Sequence, residues 1–129
     1  MANRVIAIDG PAGSGKSTVA RAVADRLGLE YLDTGAMYRG VAFAVLRRGV
    51  DPADVPAVAD VARSVVLEVT RSACIVDGED ASAAIRGAEV TTAVTAVAAN
   101  PEVRVEMVAR QRAWVAEHGG GVMEGRDIG

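Results

Sequence analysis

Residues 10–18 read GPAGSGKST, and this stretch decides how the rest of the chain is read. It satisfies the spacing G-x-x-x-x-G-K-[ST] with Gly10, Gly15, Lys16 and Ser17. Ahead of it, RVIAID (4–9) is a continuous apolar run, suited to a strand buried on both faces of a parallel sheet. Behind it, Val19, Ala20, Val23, Ala24 and Leu27 recur at helical spacing, and Gly28 supplies the stop. Strand, glycine loop and helix together make a cradle for phosphate. Glycines let backbone N–H groups turn inward, and the helix adds its positive N-terminal end. Gly10, Pro11, Ala12, Gly13, Ser14, Gly15, Lys16, Ser17 and Thr18 are the expected ATP-binding residues, with the Ser17 hydroxyl on the Mg²⁺ that ATP carries.

Lys16 is the only lysine among 14 basic residues; the rest are arginine. A compositional drift toward arginine has left one lysine where its shape matters. An ammonium on a flexible stem is a compact charge that reaches between the β- and γ-phosphates, which a wide planar guanidinium does poorly. The loop by itself indicates a nucleoside triphosphate and names no acceptor.

Composition bounds the rest. A chain of 129 residues fits one domain and buries roughly two thirds of its unfolded surface. Half its residues are hydrophobic, mostly Ala and Val, and only 3% are aromatic, so the core is built from small aliphatics. The net charge of −3 provides no basic field and argues against a nucleic-acid partner. No apolar run is long enough to span a membrane, and the N-terminus lacks the pattern of a secretory signal. Cys74 stands alone, expected as a small buried hydrophobe with no disulfide or metal role. A reducing cytoplasm is the default compartment.

Along the chain, LEYLD (29–33) reads as a second strand and 34–49 as a helix opened by Thr34 and closed by Gly49, with Arg47 and Arg48 in its last turn. A short helix is expected over 54–64. The period then changes to two: SVVLEV (64–69) and ACIVDG (73–78) flank a polar turn and predict a hairpin. Helices are expected over 89–100 and, from Pro101, over 101–117. GGG (119–121) breaks the last one before a strand at 121–124 and a loop, GRDIG. The alternation predicts an α/β protein with a three-layer phosphate-loop fold, a parallel sheet and a small β-containing insert.

Beyond the loop, the blocks LDTGAMYRGVA, VDGEDAS, ANPEVR and EGRDIG occur in an order and spacing that resembles the bacterial cytidylate kinases, a branch of the nucleoside monophosphate kinases. The resemblance covers essentially the whole chain, as a core over 1–129 with the monophosphate-binding insert at 64–99. It implies transfer of the γ-phosphoryl group of ATP to CMP or dCMP by a monomeric enzyme of pyrimidine metabolism. It places Arg39 and Arg126 on the acceptor phosphate, beside Lys16 on the donor, as the catalytic cations. Thr34 lines the monophosphate pocket, Thr95 touches the base, and Arg104 with Asp127 holds the cytosine edge. The family continues well past the GRD block into a closing lid and last strands, so the chain is expected to be an N-terminal fragment, impaired in transfer.

The chemistry of the base edge agrees. Cytosine presents an amino donor beside two acceptors; Asp127 accepts from the amine and Arg104 donates to the acceptor edge. Uracil puts a carbonyl where cytosine has its amine, so a carboxylate there rejects it. The bland alternatives are a cap or an ion pair with Asp33 for Arg39, a loop salt bridge between Arg126 and Asp127, and, from the residues alone, a solvated charge beside Glu102 and Glu106 for Arg104. Thr95 is as easily packing as ligand. Glu124, Asp9 and Asp33 end strands, where open α/β sheets bind ligands, and Glu124 is a candidate for a metal-bound water, although the family more often has Asp there. His118 is expected as a helix C-terminal group with no catalytic role. Two other classes stay open: a phosphate-loop kinase for UMP or a shikimate-like acceptor, and a non-catalytic nucleotide-binding module.

Overall fold

The computed structural model describes residues 4–9 and 16–125, without the side chains of Arg4, Asp9, Lys16 and Ser17. In chain order the elements are β1 (Arg4–Asp9), α1 (Lys16–Leu27), β2 (Tyr31–Asp33), α2 (Thr34–Arg47), α3 (Val55–Ser64), β3 (Leu67–Val69), β4 (Cys74–Val76), β5 (Glu79–Asp80), a 3₁₀ turn (Ala84–Arg86), α4 (Ala88–Ala99), α5 (Pro101–His118) and β6 (Gly120–Gly125). They divide into two compact units, one drawn from Met1–Gly35 with Arg110–Gly129, the other Ala36–Ala109.

The first unit holds a parallel sheet in the order β1-β6-β2. Parallel neighbours need crossover connections, and here β1 runs through α1 to β2 while the last strand fills the place between them. All six residues of β6 are buried. Ala20 and Ala24 of α1 lie fully buried with Tyr31 and Val122, and Ile6, Ile8, Val23 and Leu29 pack around them. Alanine at these helix positions lets the backbone approach the sheet closely, as an aliphatic core poor in aromatics requires. One expectation for β1 fails. Ile6 and Ile8 pack inward, but Val5 is 48% exposed and Ala7 is also exposed. An apolar run does not reveal whether one face of a strand or both are covered, and here only one is packed among the described residues.

The GGG run does more than end a helix. Gly119 and Gly120 sit at φ 70° and 123°, where side chains are disfavoured. At Gly121 a Cβ would lie 2.3 Å from Cη2 of Trp114. The indole of α5 therefore rests directly on the backbone of β6.

In the second unit β3, β4 and β5 form an antiparallel sheet, with Leu67 opposite Val76, Val69 opposite Cys74 and Ile75 opposite Asp80. The hairpin expected from period-two patterning is present, and a short third strand follows it. Asp77 and Gly78 turn β4 into β5 with φ 50° and 82°, both left-handed, the Asp-Gly pair such two-residue turns favour. The Asp77 carboxylate accepts from the Val66 amide at 3.0 Å and from Arg48 at 3.0 Å. Helix α2 packs on this hairpin through Gly40, where a Cβ would meet Leu67 at 2.8 Å and Cys74 at 3.3 Å. Cys74 is buried, as expected. Arg47 and Arg48 do not merely complement the helix end: Arg47 grips Glu79, its Nε 3.1 Å from Oε1, and Arg48 also donates to Ser64.

Caps mark the helix starts. Asp54 accepts from the Ala57 amide ahead of α3. Asn100, 4% exposed, accepts from the amides of Glu102 and Val103, opening α5, and its Nδ2 donates to the Val55 carbonyl at 3.0 Å. One buried side chain thus fixes the start of α5 and ties it to α3.

Candidate active site

The elements that flank the glycine loop lie in the first unit. Parallel register brings the carboxyl ends of the three strands level, with Asp9 opposite Gly125 and Asp33 opposite Glu124. Open α/β sheets bind their ligands at this edge. Gly10 follows Asp9 and Arg126 follows Gly125 in the chain, so the glycine loop and the GRD segment both leave from it. Residues 10–15 and 126–129 lie outside the described residues, and with them Gly10, Pro11, Ala12, Gly13, Ser14, Gly15, Arg126 and Asp127. Helix α1 opens at Lys16, with no acidic side chain in its first turn. Its positive end is therefore left to an anion, and twelve residues are long enough for the dipole to matter. Thr18 is exposed on this first turn.

At the same edge, Thr34 opens α2 as expected and is 3% exposed. Its hydroxyl donates to the Glu124 carbonyl at 2.7 Å, which pins the β2–α2 junction to the end of β6. The oxygen lone pairs stay available to accept. Glu124 is 1% exposed, and its Oε1 accepts from the Tyr31 phenol. Tyr31 ionises well above an ordinary phenol. Burial is the main cause, then its bond to Glu124 and the negative charges of Asp33 and Glu124, against the opposing Arg21 guanidinium. Arg21 stands 5.4 Å from the ring centroid. The carboxylate proposed for a metal-bound water is thus anchored in the core through one oxygen. Among the described residues no cluster of three His, Cys, Asp or Glu could hold a metal by itself.

Of the residues expected on the acceptor side, Arg39, Thr95 and Arg104 lie in the second unit, and Thr34 lies in the first. Arg39 is half-buried on α2, and makes no ion pair with the described residues of this unit. Arg104 is exposed on the first turns of α5. Tyr38 is half-buried; burial pushes its ionisation up, and the Arg104 charge and hydrogen bond oppose the shift. Thr95 is exposed on α4. His118 ends α5, exposed, with Nδ1 2.8 Å from the Trp114 carbonyl; that oxygen only accepts, so Nδ1 is the donor.

Two residues here escape a reading by motif. Tyr31 looks like core, and Asn100 looks like a helix stop before proline.

The profile of the Cytidylate kinase family matches residues 6–129. The chain belongs to the cytidylate kinase family. It is 51% identical over 129 residues to a protein named cytidylate kinase from Mycobacterium leprae, covering 100% of this chain and 58% of that one. It is 52% identical over 128 residues to a cytidylate kinase of Geobacillus kaustophilus, covering 96% of this chain and 57% of the relative. A bifunctional pantoate ligase/cytidylate kinase of a Synechococcus strain is 49% identical over 130 residues, with 27% of its length covered. The chain thus spans under three fifths of the length of these cytidylate kinases. Within the family's frame, the phosphate loop, the TGAMYR block and the GRD block fall inside the matched range. No helix among the described residues is long and apolar enough to cross a membrane.

Proposed function

We propose that the chain is the nucleotide-binding part of a cytidylate kinase, which transfers the γ-phosphoryl group of ATP to the 5′-phosphate of CMP or dCMP, giving ADP and CDP or dCDP. The observation that carries this reading is the family match across residues 6–129, with the phosphate loop leading into α1. The donor residues fit a bound triphosphate: a helix N-terminus without acids behind a glycine loop, one lysine, and a serine hydroxyl. Lys16 and the loop amides hold the donor, and Ser17 would hold Mg²⁺, which neutralises charge between the phosphates.

The protein forms no covalent intermediate. It brings two anions together and screens their repulsion. Arg39 and Arg126 bind the acceptor phosphate, already ionised, so no strong base is called for. Thr34 lines the same pocket with its free lone pairs. Arg104 and Asp127 read the cytosine edge, and Thr95 takes a contact to the base. The stretch 64–99, which holds β3 to β5 and α4, is the monophosphate-binding insert. We place the protein in the cytoplasm as a monomer.

ADP release from Mg·ATP with CMP, dCMP, UMP, AMP and shikimate offered separately tests the reading. Release dependent on CMP and dCMP supports it. Release that ignores the acceptor makes the chain an ATPase or a switch, and dependence on UMP or shikimate gives the acceptor a different class.

A further inference from the structure

Resting on the donor half of the reading above, we infer that Tyr31 is a positioning residue for Mg²⁺·ATP: it holds the Glu124 carboxylate toward the metal that arrives with the nucleotide. Glu124 lies near the end of the middle strand of the parallel sheet and is 1% exposed, a costly place for a carboxylate unless polar partners hold it. The Tyr31 phenol donates to its Oε1, and the Thr34 hydroxyl donates to its backbone carbonyl at 2.7 Å. Side chain and main chain are thus fixed separately, both from the 31–34 stretch. Successive side chains of a strand alternate, so Glu124 faces the same way as Val122, which packs with Ala20 and Ala24 of α1. Ser17, the residue expected to hold Mg²⁺, stands one turn before Ala20 in that helix. The carboxylate therefore shares with α1 one face of the sheet, at the edge from which the glycine loop leaves. Mg²⁺ is held by one or two carboxylates together with waters and substrate phosphates, so a single well-held carboxylate suits it. A carboxylate accepts at about four positions, and the phenol takes one. Tyr31 is itself buried against Ala20, Ala24 and Val122, with the Arg21 guanidinium 5.4 Å from its ring centroid. The anchor is set in the core, while the group it holds stands at the ligand-binding edge. A phenylalanine would fill the same core; the phenol oxygen is the part that packing does not need.

Tyr31→Phe keeps the ring and removes the oxygen. Calorimetric titration with ATP, in Mg²⁺ and in EDTA, of wild type, Tyr31→Phe, Glu124→Gln and the double variant tests the assignment. Losing the group that orients a metal-facing carboxylate predicts that the tightening of ATP binding by Mg²⁺ falls about tenfold in Tyr31→Phe. ATP affinity in EDTA does not change, and the double variant gains no less from Mg²⁺ than Glu124→Gln does. A purely structural tyrosine would weaken ATP binding alike with and without Mg²⁺, or leave both untouched, and either outcome overturns the inference. Wild-type ATP binding that Mg²⁺ does not tighten overturns it too, and leaves the functional reading to CMP-dependent ADP release; a wild type that binds no ATP overturns both. Should Tyr31→Phe fail to fold, fluorine NMR of wild type grown with 3-fluorotyrosine decides. The chain has two tyrosines, and the line that remains in Tyr38→Phe is that of Tyr31. A Tyr31 line that moves when Mg²⁺ joins the ATP-saturated protein, and stays still in Glu124→Gln, supports the inference. A line unmoved in the wild type, or moved alike in Glu124→Gln, overturns it.

Discussion

The two units carry the expected site residues on different materials. The unit that holds the parallel sheet offers backbone: a glycine loop, a helix end without acids, and strand ends held level by register. The unit of residues 36–109 carries its candidates as side chains: Arg39 without an ion pair among the described residues of its unit, Arg104 exposed near the start of α5, and Asn100 capping that helix. A backbone site tolerates few residue types and so leaves a spacing pattern. A side-chain site depends on which residues three helices bring together, and its pattern in sequence is sparse. The difference also predicts where each unit is fragile.

The sharpest break falls on the donor side. Lys16→Met should lower CMP-dependent ADP release about 10²- to 10³-fold, the loss typical of one preorganised charge donor. Lys16→Arg should recover little of it, because the guanidinium is too wide; recovery to near the wild-type rate would remove the special role given to the lone lysine.

Next comes the same substitution made once in each unit. Gly121→Ala drives a methyl against the Trp114 ring and within 3.2 Å of the Glu30 carbonyl, neither of which moves easily. We expect a loss of about 2–3 kcal/mol in chemical denaturation. Gly40→Ala meets first the tip of Leu67, which can swing aside, and should cost about 1 kcal/mol. Equal losses would mean that the helix–hairpin packing is as rigid as the indole on β6. Asn100→Ala should cost about 2 kcal/mol, roughly half for the lost cap and half for the Val55 carbonyl left without its donor.

The smallest effects separate the units by pH. Tyr31 has its ionisation raised, so its contribution is complete below its ordinary value of 10.0 and drains away as pH climbs toward the folded value. Asp77 is lowered, first by the Val66 amide and then by Arg48, so its contribution is present above 3.8 and is lost as pH falls through the folded value. Tyr31→Phe should flatten the alkaline limb of a stability–pH curve. Asp77→Asn keeps the left-handed turn and should flatten the acid limb, by less than about 1 kcal/mol because the Arg48 pair is exposed. A variant that moves the opposite limb would show that the curve is governed by other groups.

Most of the fold was legible in the sequence, and for physical reasons. The 4–9 run, the helical spacing from Val19 to Leu27, the two-residue period around 64–78 and the Asn100-Pro101 boundary each follow from local backbone preference. The order β1-β6-β2 is not local, and nothing in residues 29–33 says that a strand from 120–125 will take the place between them. The one-sided packing of β1 escaped because apolar runs do not encode which neighbours arrive. Lys16 and the glycines are singled out by spacing, whereas Arg39, Arg104 and Thr34 are singled out only through resemblance, since each alone looks like an ordinary surface charge or helix start. Tyr31 and Asn100 were invisible because their work is to hold another group in place.

The position of β6 also sets an order of events in time. Among the described strands, β1 and β2 have no hydrogen-bonded neighbour except β6, and everything from Thr34 to Gly119 is made before it. On a ribosome running at about 5–20 residues per second, the first two strands therefore wait roughly 4–17 s for the strand that joins them. The stretch 36–109 is contiguous and is free to condense during that interval. The nascent chain should acquire the helices of 36–109 first. Its three described strands should then pair once β6 has emerged, the most deeply buried of the three.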